Sequence, residues 1–154
     1  MDADPNAAIQ AMVDRETEAW DAQDADALLD LFHPDMVWAW PPTSYDHDPV
    51  DWELEFGRFD RERWRRDWQG LFDTHELLRN DRTTRRISVS EQGDAGMAVV
   101  DIDTLWRDEA TGEDFHWLGR TAKLYTLRDE EWKLVGHWGA LEFDAAGRPV
   151  TSPD

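Results

Sequence analysis

The chain has no cysteine, which excludes disulfides and thiolate metal sites alike. No apolar run approaches the roughly 18 residues of a membrane-spanning helix. Only two lysines occur, Lys123 and Lys133, among 16 basic residues. The nine glycines are scattered, so no glycine-rich loop exists to cradle a phosphate, and no elbow motif presents a nucleophilic serine. The opening Met1-Asp2-Ala3-Asp4-Pro5 lacks the basic start and apolar run of a signal peptide, and a cytoplasmic location is the expectation.

Acid, by contrast, is abundant. Asp and Glu number 35 against 16 Lys and Arg, for a net charge of −19. A field of that sign repels nucleic-acid backbones and anionic lipid headgroups, so neither is an expected partner. It also strains the compact state unless salt screens it. A carboxylate-rich, lysine-poor surface resembles those of proteins from extreme halophiles, and the acidity reads as adaptation to solvent. The 154 residues fit one domain with a core of its own. That domain is expected to span residues 1–154, with its core over about 7–143 and a tail over 144–154.

Periodicity divides the chain into a helical first half and a strand-rich second half. Residues 6–22 place Ile9, Met12, Val13, Glu16 and Trp20 on one helical stripe. A short helix follows over 25–32, stopped by His33-Pro34-Asp35, and a β-prone segment over 36–40. After a loop over 43–59, a third helix is predicted over about 60–79, burying Trp64, Trp68, Leu71, Phe72, His75 and Leu78. Four strands are then predicted at about 82–92, 96–107, 113–127 and 131–143, joined by short polar turns of hairpin type.

Closing each hairpin tightly assigns side chains to faces. The core face collects Ile87, Val89, Ala98, Val100, Ile102, Trp106, Leu118, Ala122, Leu124, Leu134, Trp138 and Ala140. The other face carries Val99, Asp101, Asp103, Trp117, Thr121, Lys123, Tyr125, Lys133, Val135, His137 and Leu141, a mixture suited to a homodimer surface. A slip of one residue would exchange the two faces.

The segment Trp20-Asp21-Ala22-Gln23-Asp24-Ala25-Asp26-Ala27-Leu28 through Phe32-His33-Pro34-Asp35 resembles the opening of the nuclear-transport-factor-2-like superfamily. Glu131-Trp132-Lys133-Leu134-Val135-Gly136-His137-Trp138 is similar to its closing strand. The resemblance covers about residues 7–143 and points to the SnoaL-like, ketosteroid-isomerase-like branch. It implies an α+β, cystatin-like fold: a cupped, cone-shaped antiparallel sheet with three N-terminal helices enclosing a pocket. The superfamily holds isomerases, cyclases, dehydratases and hydrolases, and also non-catalytic kinase association domains, so fold does not decide function. By this resemblance the oxyanion-hole tyrosine of the ketosteroid isomerases falls at Glu16 and their general-base aspartate at Trp40. An ionised carboxylate cannot donate to an oxyanion and an indole is no base, which excludes that activity. Trp138 stands where many uncharacterised members carry a histidine.

Within the assumed register, Arg85, Thr104, His116 and Glu142 form one cross-strand row on the core face, and Val100, Arg120 and Trp138 another. Glu16 and His75 point inward from their helices. Two readings stay open: a polar pocket, or edge salt bridges such as Arg85 with Glu142, worth about 0–1 kcal/mol if exposed. In the first, Arg120 and Arg85 anchor a carboxylate or enolate oxygen, and His116 or His75 is the acid–base, with Glu16 orienting or accepting a proton. Trp38, Trp40, Trp64, Trp68 and Trp138 supply flat walls, and Thr104 a hydroxyl.

The expected activity is cofactor-independent proton transfer (isomerisation, dehydration, cyclisation or hydrolysis) on a small aromatic or carboxylate-bearing molecule. The rival is a non-catalytic dimeric binding or assembly module. Tyr45-Asp46-His47-Asp48 clusters metal-ligand types, but no second histidine follows at helical spacing and no metal is expected. Asp101 and Asp103 read as interface charges paired with Lys123 and Lys133.

Overall fold

The structure is a computed structural model that describes residues 3–39, 50 and 57–141. Three helices precede most of the sheet: α1 (Pro5–Asp21), α2 (Ala25–Leu29) and α3 (Arg61–Thr74). Each begins on an aspartate. Asp4, Asp24 and Asp60 accept from the backbone N–H of Asn6, Ala27 and Arg63, satisfying donors that the first turn leaves open. The stripe read from the sequence is the buried face of α1: Ile9, Met12, Val13, Glu16, Ala19 and Trp20.

Five strands form one sheet: β1 (Phe32–Trp38), β2 (His75–Val89), β3 (Ala95–Asp108), β4 (Asp114–Arg128) and β5 (Glu131–Leu141). Their order is β1-β5-β4-β3-β2. All neighbours are antiparallel except β1, which runs parallel to β5 along one edge. Asp129 and Glu130, both with positive φ, make the two-residue connection between β4 and β5, the primed turn that suits strand twist. No helix among the described residues is long and apolar enough to cross a membrane.

The third helix ends five residues earlier than periodicity predicts. His75 is already extended, with φ −126° and ψ 143°, and opens β2. Gln23 Nε2 donates to the Phe72 and His75 carbonyls at 3.0 and 3.1 Å, so a loop side chain takes up acceptors at the helix end. Leu78, expected inside, is 37% exposed.

The inner sheet face also differs from the expected one. On β3, Ala98, Val100, Ile102, Thr104 and Trp106 are buried, as the sequence indicated. Opposite them on β4 stand Lys123, Thr121, Gly119, Trp117 and Phe115, not the even-numbered residues. The turn at 109–113 sets Arg107 against Asp114, one residue out of the assumed register, and a slip of one exchanges faces. Bulges between Thr84 and Arg86 and between Leu124 and Tyr125 reverse parity again. Leu134 is therefore inside, as expected, but so is His137, while Trp138 is 37% exposed on the outer face.

Candidate functional site

The inner sheet face, α1 and α3 border a half-open cavity of about 350 Å³. Its wall is largely aromatic: Trp20 from α1, Trp38 from β1, Trp106 from β3, and Phe115 and Trp117 from β4. Gly139 leaves room for Trp117, since a Cβ there would stand 3.0 Å from the indole edge. Among the described residues the polar members of the wall are Arg82, Thr104, His75 and His137.

Behind this wall lies a buried charge cluster that joins residues from both ends of the chain. Lys123 Nζ donates to both oxygens of Glu16, at 2.7 and 2.9 Å, and Arg82 Nη1 donates to Glu16 Oε2 at 2.5 Å. The Lys123, Glu16 and Arg82 side chains are 0%, 2% and 7% exposed. Burial by itself raises the Glu16 carboxyl, yet the two adjacent cations outweigh it and hold the group below its ordinary value. Burial pushes the Lys123 ammonium down to about 8, against the pull of Glu16 and assisted by the Arg82 charge. Lys123 also faces the Trp38 ring, 5.9 Å from its centre, a cation–π contact.

Arg82 is the member of the cluster that reaches the cavity. Its Nε donates to Asn80 Oδ1 at 3.0 Å. Asn80 in turn accepts from the Thr104 hydroxyl at 3.2 Å and donates to Asp21 at 2.9 Å. Guanidinium orientation is thereby fixed from α1, β2 and β3.

His137 stacks on Trp38 with ring centres 3.5 Å apart and planes 9° from parallel. The residue is 3% exposed, and among the described residues neither ring nitrogen has a hydrogen-bond partner. Burial, then the Lys123 and Arg82 charges, hold the imidazole well below its ordinary value, so it is neutral at pH 7. A buried polar group left unbonded is costly and rare in native proteins. Tyr125, 3% exposed, also has its hydroxyl unbonded, and burial first and then Glu16 raise it well above its usual range.

The structure divides the residues proposed from sequence. Trp38, Thr104 and His75 do line the cavity, although His75 does so from β2, with Nδ1 on the Thr74 hydroxyl at 2.8 Å and Nε2 3.8 Å from Asp108. Glu16 is inside but fully engaged by two cations, so it orients Arg82 and is poorly placed to accept a proton. Trp64 and Trp68 lie one layer back, where Trp68 packs edge-on against Trp20 and Trp38 and Trp64 against Phe32. Trp40, Glu142 and the Tyr45–Asp48 cluster lie outside the described residues.

His116 and Arg120 belong to the outer face, together with Trp138, because β4 sits one residue out of the assumed register, and the bulge between Thr84 and Arg86 puts Arg85 there too. Asp101 receives Arg85 Nε and Arg120 Nε, each at 2.6 Å. Asp103 receives Arg79 Nη2 at 2.9 Å and lies 2.7 Å from His116 Nε2. The acids on this face thus pair with arginines and a histidine, not with Lys123 or Lys133. Sequence reasoning missed Arg82, Lys123 and His137 as inner residues. The available signal was that Lys123 is one of only two lysines and sits mid-strand in an acidic chain.

A family model described as the SnoaL-like domain matches residues 13–135. No curated protein matches the chain by sequence. Among solved structures, a ketosteroid isomerase-like protein from Erwinia carotovora atroseptica superposes with a TM-score of 0.66 at 14% identity, over 86% of this chain and 92% of that one. A Xanthomonas campestris protein provisionally named as a calcium/calmodulin dependent protein kinase II association domain gives 0.61 at 18% identity, covering 94% and 91%. A domain of unknown function with a cystatin-like fold from Nostoc punctiforme gives 0.65 at 14%, covering 95% and 82%. At such identities the likeness is one of fold.

Proposed function

This chain belongs to the SnoaL-like domain family, and from that membership we propose that it binds a small aromatic or carboxylate-bearing molecule in the inner cavity and moves a proton on it without a cofactor. The observation that carries this reading is His137. It stands in the wall of a cavity of about 350 Å³, within the roughly 300–1,000 Å³ range of ligand pockets, with both ring nitrogens unbonded. A ligand oxygen or hydroxyl reaching it would satisfy a buried group that the protein leaves open, and a neutral imidazole can take or relay a proton. His75, partnered by Thr74 and Asp108, is the second acid–base candidate. The tryptophans supply flat apolar surface on which an aromatic ring packs. A cavity filled by indoles would have favoured a purely structural module; an open, polar-tipped one favours binding.

The test is a panel of one- and two-ring aromatic acids, phenols and amides, read by thermal stabilisation and tryptophan fluorescence in concentrated salt. Saturable quenching with stabilisation is expected, weakened by Trp117→Ala, which removes one wall. If no compound binds at millimolar concentration, the reading fails. Once a turned-over compound is found, His137→Phe should abolish turnover; full activity in that variant refutes the proton-transfer role.

The proposal includes a homodimer through the outer sheet face. Its support is that Leu124 and Trp138 are each 37% exposed there, beside acid–arginine rows that suit a two-fold, self-matching contact. Sedimentation of Leu124→Asp should give a monomer where the wild type gives a dimer. A wild-type monomer at micromolar concentration removes this part alone.

A further inference from the structure

The buried cluster does not balance. Glu16 supplies one negative charge, Arg82 and Lys123 two positive ones, and all three side chains are at most 7% exposed. Among the described residues neither cation hydrogen-bonds to another carboxylate: Lys123 donates to Glu16, and Arg82 to Glu16 and the neutral Asn80. Tyr125 on β4, His137 on β5 and the Trp38 ring on β1, beside them, are uncharged at neutral pH, and the Asp21 carboxylate accepts from Asn80, not from either cation. An uncompensated charge in a closed interior is costly unless something answers it. In a protein of net charge −19, the interior beside the cavity is positive.

The excess charge has one outlet. Lys123 is sealed from the cavity, whereas Arg82 lines it. With Nε on Asn80 and Nη1 on Glu16, the guanidinium's Nη2 has no hydrogen-bond partner among the described residues. His137 contributes a second unbonded group to the same wall, and Lys123 and Arg82 both oppose its protonation. No carboxylate appears among the described residues of the wall. From this geometry we infer that the cavity selects an anion: a planar aromatic oxyanion, carboxylate or phenolate, whose charged oxygen sits on Arg82 Nη2 with its ring among the tryptophans. This rests on the ligand-binding reading above and specifies its substrate class.

The committed nitrogens make the site particular. An arginine free on both edges grips a carboxylate side-on through two parallel bonds. Here Nε is occupied, so the side-on grip is closed and one oxygen takes Nη2. A phenolate or enolate needs nothing more, while a carboxylate must place its second oxygen on His137. Surface repulsion of an anion is screened in concentrated salt, so the interior charge governs selection there.

Calorimetric titration in concentrated salt with 2-naphthoate, 2-naphthamide and a nitrophenol above and below its own ionisation tests this. The anions should bind at least roughly tenfold more tightly than the amide and the neutral phenol, the increment of one charge-assisted hydrogen bond. The His137 ring, followed by NMR, should titrate at higher pH when an anion is bound, since the bound charge offsets the two cations. Lys123→Met removes the excess charge but keeps Arg82, and should narrow the gap between anion and amide, with amide binding reporting an intact cavity. Equal affinity of wild type for naphthoate and naphthamide overturns the inference and leaves the binding reading standing. Undiminished anion preference in Lys123→Met overturns it as well. Absence of all binding overturns both.

Discussion

Removing Glu16 and removing Lys123 should have unequal consequences, although they are partners in the same ion pair. Glu16→Gln keeps shape and volume but leaves Arg82 and Lys123, both buried, facing one another without an anion. Breaking a buried ion pair from one side costs about 3–5 kcal/mol. For a domain of this size each kcal/mol moves the melting temperature by about 2–4 °C, so a loss of about 6–20 °C is expected. Lys123→Met instead leaves Glu16 and Arg82 as a neutral pair and fills the space with a flexible apolar chain. It gives up two hydrogen bonds and the Trp38 contact but removes the desolvation of an ammonium, and a net change within about 1.5 kcal/mol is expected. Urea unfolding in concentrated salt, with the denaturant slope checked for constancy, measures both. If Lys123→Met proves as damaging as Glu16→Gln, the cluster is not two cations against one anion, and the cavity has no excess charge with which to select an anion.

The pH dependence should carry the signature of His137, whose folded value lies well below 6.5 through burial, Lys123 and Arg82. The unfolded chain then takes up a proton that the native state refuses, so stability is complete above about pH 6.5 and is lost as pH falls toward the folded value, at up to about 1.4 kcal/mol per pH unit. Melting temperatures from pH 7.5 to 5 should fall less steeply in His137→Phe than in the wild type; identical slopes refute the assignment. Gly96→Ala should destabilise by about 1–3 kcal/mol, because the new Cβ would lie 2.2 Å from Ile9 Cδ1 and 3.1 Å from the Ser88 carbonyl oxygen, where Ile9 is fully buried. Denaturation midpoints check this, and an unchanged midpoint shows that α1 can shift away. Arg85→Ala and Arg120→Ala should each cost less than about 1 kcal/mol, since these side chains are 56% and 61% exposed.

Local chemistry made much of the architecture readable. The stripe from Ile9 to Trp20 could bury only one helical face, and the polar turns after 92, 108 and 128 could close only hairpins. Order and spacing of those elements carried the family resemblance. The acid excess is likewise a property of composition, present wherever the chain folds.

The identity of the inward residues is another matter. On β4 the even-numbered set, with Leu118, Ala122 and Leu124, is the more apolar, and local hydrophobicity favours it for the interior. Register and two bulges decide otherwise, because α1 brings Glu16 against the sheet and makes a buried lysine tolerable from 107 positions away. No window of sequence contains that pairing. Burying Lys123 brings Thr121, Trp117 and, across the strand, His137 to the same face, and sends His116 and Arg120 to the other. The sequence on its own determined which elements form and in what order; only the three-dimensional packing decided which side chains meet, since the free energy of a buried charge depends on a partner supplied by a distant part of the chain.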